Sequence, residues 1–180
     1  MSDHEQIVVR IDPLPPSRCH DLASKIQHWL RASGIVQLNE KPAYHGWTRW
    51  APGPRWIDAV TDVNEAPFLE LQHTGVEIAA ERKVQSGPGD MPNCEHCSTP
   101  LDDSRFGELI EAWLDDGEPT PDCPACGWSA LLGDWPSDWP SAYVGAPAIT
   151  FNNWFRLRPE FSDELYHLLG GRCRTLAFKL

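Results

Sequence analysis

Two pairs of cysteines, Cys94-Glu-His-Cys97 and Cys123-Pro-Ala-Cys126, each leave two residues between their thiols. No other feature restricts the fold so tightly. A C-x2-C turn sets both sulfurs on one side of a tight bend, so both can reach a single ion. Two such turns complete a tetrahedral shell of four thiolates, with metal–sulfur distances near ~2.3 Å for zinc. The pairs stand 25 residues apart, so the fold must bring 94–97 and 123–126 together.

CPACG at 123–127 resembles the knuckle shared by zinc ribbons and rubredoxins, and segment 94–127 as a whole resembles a zinc ribbon. The resemblance implies a structural Zn²⁺ held by Cys94, Cys97, Cys123 and Cys126, and a local fold, but no activity. Gly127 fits it, because glycine tolerates the positive φ that such a turn requires. The first pair is followed by Ser98 where rubredoxin-type knuckles carry glycine, which speaks against iron electron transfer. Four cysteines leave no open coordination position, so the site reads as structural and not catalytic. His96 is expected beside the site, in solvent. Neither pair opens a helix after a strand, as a thioredoxin-type motif would.

Elsewhere, alternation and periodicity predict strands at 7–11, 35–38, 147–157 and 173–180, and a hairpin of 68–73 with 76–84 about Thr74-Gly75. A helix from Ser17, as cap, to Ala32 carries the stripe Leu22, Ile26, Trp29 and Leu30. A second, 160–169, begins at Pro159, ends at Gly170-Gly171 and carries Phe161, Leu165, Leu168 and Leu169. Between the cysteine pairs, 104–117 forms a short helix with Phe106, Leu109, Ile110 and Trp113 on one side. DWPSDWPS at 134–141 reads as a connector whose Trp135 and Trp139 pack back. The expectation is an α+β fold, a mostly antiparallel sheet with two helices on one face and an inserted zinc-ribbon lobe. Residues 1–88 and 133–180 would form the main domain, and 89–132 the insert.

The charge fits either a solubilising surface or a docking face for a basic partner. The net charge is −11, and residues 58–118 alone carry −12. Segment 90–118 has nine acids against Arg105, which disfavours direct nucleic-acid binding, since phosphate affinity comes from Lys and Arg. No apolar run approaches the ~20 residues of a membrane span. MSDHEQ lacks the basic start of a secretory signal, so a cytoplasmic location with reduced thiols is expected.

The leading expectation is a non-enzymatic, macromolecule-binding protein. Glu108, Glu111, Asp115 and Asp116 would face a basic protein partner, as in an immunity-type or inhibitory protein covering a toxin or nuclease. The alternative is a hydrolytic enzyme with a pocket around 45–73 and His45, Asp58 and His73 as acid/base groups. Three weaker patterns remain. Cys19 with His20 suggests a helix-start nucleophile, Glu77, Glu81 and Lys83 an acid-x-Lys strand face, and the tryptophans of 47–56 with Arg49 and Arg55 a stacking surface. Each is matched by a plain structural role: a buried thiol, a solvated strand and a packed loop.

Overall fold

The computed structural model describes residues 4–39, 49–61, 74–154 and 156–179. Among them, six strands form an antiparallel sheet: β1 (His4–Arg10), β2 (Val36–Leu38), β3 (Trp50–Pro52), β4 (Gly75–Ala79), β7 (Ala148–Asn152) and β8 (Cys173–Lys179). Their order is β2-β3-β4-β7-β1-β8. β5 (Lys83–Ser86) and β6 (Ala142–Gly145) form a second, two-stranded antiparallel ribbon. The helices are α1 (Pro16–Ala32), α2 (Asp103–Asp115) and α3 (Pro159–Leu169). β1 and β2, which flank α1 in sequence, are separated in the sheet by β3, β4 and β7.

β1 explains the layering. Its run Ile7-Val8-Val9 is apolar on both faces because both faces are covered. Val8 joins α1 and α3 in one core with Ile26, Leu30, Phe151, Phe161, Leu165 and Leu169. Trp29 stacks on Phe161 with ring centroids 5.6 Å apart, joining the two helices. Ile7 and Val9 enter a second core on the opposite face, with Leu176 and Phe178 from β8 and Phe106, Ile110 and Trp113 from α2. Both Cys94 and Cys123 belong to that second core. The cysteine-bearing segment is therefore packed against the sheet.

The ribbon prolongs the sheet. β4 pairs with β7 up to Ala79↔Ala148, and pairing resumes at Lys83↔Gly145. Three residues on one side oppose two on the other, a bulge that bends the ladder. The cysteine segment leaves from the far end, beyond Ser86↔Ala142.

Several local expectations change. Ser17 does not cap α1: Pro15 is the N-cap, with no side-chain cap, and Pro16 opens the first turn. Proline suits that position, since its missing N–H would be unsatisfied there anyway. The strand expected over 147–157 stops at Asn152. Asn153 turns to φ 57°, while its N–H donates to the His4 carbonyl at 2.6 Å and its side chain accepts from the His4 N–H. The expected 76–84 arm is divided into β4 and β5 by the bulge, and its proposed partner 68–73 lies outside the described residues. Of the two connector tryptophans, Trp135 is buried, whereas Trp139 is 43% exposed and donates its indole N–H to the Ala177 carbonyl.

Candidate metal centre

The two cysteine turns are built alike. In the first, the Cys94 N–H donates to Thr99 O at 2.9 Å and the Ser98 N–H to Cys94 O at 2.8 Å. In the second, the Cys123 N–H donates to Trp128 O at 2.7 Å and the Gly127 N–H to Cys123 O at 2.9 Å. Ser98 and Gly127 occupy equivalent places with φ 58° and 75°. A single bridge closes the base of each turn, Asn93↔Pro100 and Asp122↔Ser129. The first cysteine of each turn is buried and the second exposed.

These turns converge. The four Sγ atoms all lie within 4.8 Å of one another. Cys94 meets Cys126 and Cys97 meets Cys123, each at 3.6 Å. A disulfide needs about 2.05 Å, so neither contact is a bond. A tetrahedron with metal–sulfur arms of ~2.3 Å has edges of about 3.8 Å, close to both contacts. The four cysteines are thus near enough to hold one metal ion.

Charge at the sulfurs agrees with that use. The Cys97 thiol is lowered to about 6, chiefly by the Thr99 hydroxyl 3.2 Å away and then by the Thr99 backbone N–H. At the matching position the Trp128 backbone N–H favours the Cys126 thiolate, but burial and the other three sulfurs push that thiol up to about 12. The neighbouring sulfurs therefore hold the Cys126 thiol against ionisation. A divalent cation removes that resistance by replacing the shared protons. His96 is exposed and is not one of the four ligand-forming residues.

Glu108, Glu111, Asp115 and Asp116 lie on or just beyond α2, all exposed. Among the described residues none of the four forms an ion pair. Asp102 caps α2 by accepting from the Ser104 and Arg105 N–H groups at 3.0 and 3.2 Å. At the other end the Arg82 guanidinium donates to the carbonyls of Leu114, at 2.8 Å, and Trp113.

Of the other expected residues that the structure describes, Glu77 and Lys83 come together, lining one cleft. His45 and His73 lie outside the described residues. Asp58 is exposed and paired with Arg55 at 2.8 Å. Cys19 is not activated by the helix start: burial pushes its thiol up, with only the Arg10 charge opposing. Cys173 is likewise raised, to about 11, chiefly by burial. Trp50 is 5% exposed and sits in the core, with the Arg31 and Arg49 guanidinium groups 5.1 and 5.4 Å from its ring centroid, so it offers no free stacking face. Trp47 lies outside the described residues. Glu81 falls in the bulge, apart from Glu77 in β4 and Lys83 in β5.

Sequence reasoning missed an ion-pair group that fastens the cysteine segment to the bend before β8. Arg172 holds Glu118 through two hydrogen bonds of 2.6 and 2.9 Å, and meets Asp134 at 2.8 Å and Asp12 at 3.6 Å. Glu118 also accepts from the Gly133 N–H. Its partner lies 54 residues away in the chain, so no local pattern signals it. Among the described residues no helix is long and apolar enough to cross a membrane. Comparison with known family models, curated proteins and solved structures yields no match to this chain.

Proposed function

We propose that this protein works by binding a basic protein partner through the outward side of α2, with Zn²⁺ at the four cysteines as a structural ion that sets that segment's shape. The observation carrying the reading is the row Glu108, Glu111, Asp115 and Asp116, exposed and without ion pairs among the described residues. Asp115 and Asp116 stand at the C-terminal end of α2. Helix carbonyls already carry partial negative charge there, and each added acid costs about 0.3–1 kcal/mol. The Arg82 guanidinium at those carbonyls offsets part of that charge and leaves the outer carboxylates uncovered. A cationic surface docked on the row would relieve the remaining repulsion, speed encounter and fix orientation. An immunity-type or inhibitory protein seated on the basic active surface of a toxin or nuclease is the form that such chemistry fits.

Zinc follows from the donor set: four thiolates and no open position give a closed tetrahedral site, the usual arrangement of structural zinc. In its place the ion would neutralise the thiolates and tie the two turns together. The test uses charge reversal at three positions together, Glu108→Lys, Asp115→Lys and Asp116→Lys, on metal-loaded protein. A partner captured by the native protein should bind the variant at least tenfold more weakly, with a flatter salt dependence. Unchanged affinity and unchanged salt dependence would remove α2 from the interface.

A further inference from the structure

The face of the sheet that carries the cysteine segment is not covered along its whole length by described residues. Beside that segment lies a cleft of about 420 Å³, lined by Glu5 and Ile7 of β1, Glu77 of β4, Lys83, Val84, Gln85 and Ser86 of β5, and Thr150 and Asn152 of β7. Its size falls within the usual range of small-ligand sites, roughly 300–1,000 Å³. Its lining is mostly polar.

Register fixes how these groups stand. Glu5 is opposite Asn152, and Glu77 is opposite Thr150. β1 and β4 flank β7, and the two pairings fall two residues apart along it, so the glutamate backbones are about 12 Å apart on the diagonal. Both side chains rise from one face of the sheet and line the cleft together. The Glu5 carboxyl is held above its ordinary range, first by burial and then by the charge of Glu77, with Lys83 opposing. Among the described residues neither glutamate nor Lys83 has an ion pair. The three groups share a cleft without closing an ion pair.

Gln85 is a separate observation. It lines the same cleft, is 4% exposed, and its amide nitrogen finds no hydrogen-bond partner among the described residues. A buried amide without a partner costs about 1–3 kcal/mol. Half a turn of the terminal amide exchanges its oxygen and nitrogen, so this side chain can present a donor to an occupant. Glu5 and Glu77 call for a cation; Lys83 and Gln85 call for an acceptor oxygen close to it. A bare metal ion supplies only the first. An α-ammonium group with its adjoining carbonyl or carboxylate oxygen supplies both.

We infer that this cleft binds the α-amino end of an amino acid or peptide, its ammonium group held between Glu5 and Glu77 and its acyl oxygen met by Lys83 and Gln85. The site is independent of the cysteines and of the acidic row on α2.

Calorimetric titration of the metal-loaded full chain tests it, with trialanine, N-acetyl-trialanine and free L-alanine as probes. Trialanine should bind saturably. Affinity should fall at least tenfold with Glu5→Gln or Glu77→Gln, and several-fold with Lys83→Met, in variants whose melting temperature is unchanged. Acetylation should abolish binding. Equal binding of L-alanine would identify the free amino acid as the source, and weaker binding a peptide terminus; either result supports the proposal. No heat from either amine probe, or equal binding of the acetylated peptide, would overturn it. So would saturable Mg²⁺ or Ca²⁺ binding lost in Glu5→Gln and Glu77→Gln while the amine probes stay silent. Should Glu5→Gln fail to fold, Glu77→Gln and Lys83→Met carry the test, since both wild-type side chains are exposed.

Discussion

Ser98 and Gly127 do the same work at different cost. Both turn the chain into the left-handed region just after a cysteine pair, where a residue bearing Cβ is disfavoured by roughly 1–2 kcal/mol. A Cβ added at Gly127 would meet nothing within 4 Å, so Gly127→Ala introduces backbone strain alone. Denaturant unfolding of the metal-loaded protein should show it destabilised by about 1 kcal/mol. Ser98→Gly should move the other way or leave stability unchanged, since relief in the folded turn is partly offset by a freer unfolded chain. Equal losses from both substitutions would mean that Ser98 contributes through its side chain and that the two turns are not equivalent. The neighbour two residues beyond each second cysteine is the other common element. Thr99 and Trp128 both turn a backbone N–H toward a sulfur, which favours thiolate over thiol and hence a bound cation.

At the scale of elements, α2 joins the cysteine turns to the sheet. Its inner side carries Phe106, Ile110 and Trp113, all buried, and its first turn depends on the Asp102 carboxylate. Asp102→Ala should cost about 1 kcal/mol in the same unfolding measurement, the usual value of such a cap; a neutral result would mean that packing alone fixes the helix start. All three helices were legible in the sequence, because an apolar stripe at helical spacing survives any tertiary context that buries one side. The bounds of α3 were legible too: Pro159 starts it, and Gly170 and Gly171, with φ of 61° and 63°, follow its end. The cysteine set was readable from spacing, since two thiols per turn limit what each turn can do. Sheet order was not. β1 and β2 follow one another around α1, yet their neighbours are decided by residues far along the chain, such as Val8↔Ile149 and Ile7↔Leu176. The bulge between β4 and β5 escaped notice for the same reason, since one extra residue shows only against the opposite strand. The cleft holding Glu5, Glu77 and Lys83 exists only once three strands and the ribbon are assembled.

For the molecule as a whole, the cysteine segment and the sheet are one packed body. They share a core and also the Arg172 group, in which Glu118 is nearly enclosed, its side chain 9% exposed. Glu118→Gln removes one charge of a largely desolvated pair and leaves Arg172 to Asp134 and Asp12. Global stability should fall by about 2–4 kcal/mol, and the loss should appear equally in tryptophan fluorescence and in metal release by a chelator. Separate transitions for the two probes would show that sheet and cysteine turns unfold independently. The position of β1 carries a further consequence. Within this chain it is made well before both its partners, β7 and β8. During translation an apolar Ile-Val-Val stretch therefore waits with both edges open while more than a hundred further residues emerge, a state prone to edge-to-edge association. The cysteine turns, close together in the chain, can close around an ion before that strand finds either partner. An ion bound there would then bear on how much of this chain reaches its native form, as well as on how long that form lasts.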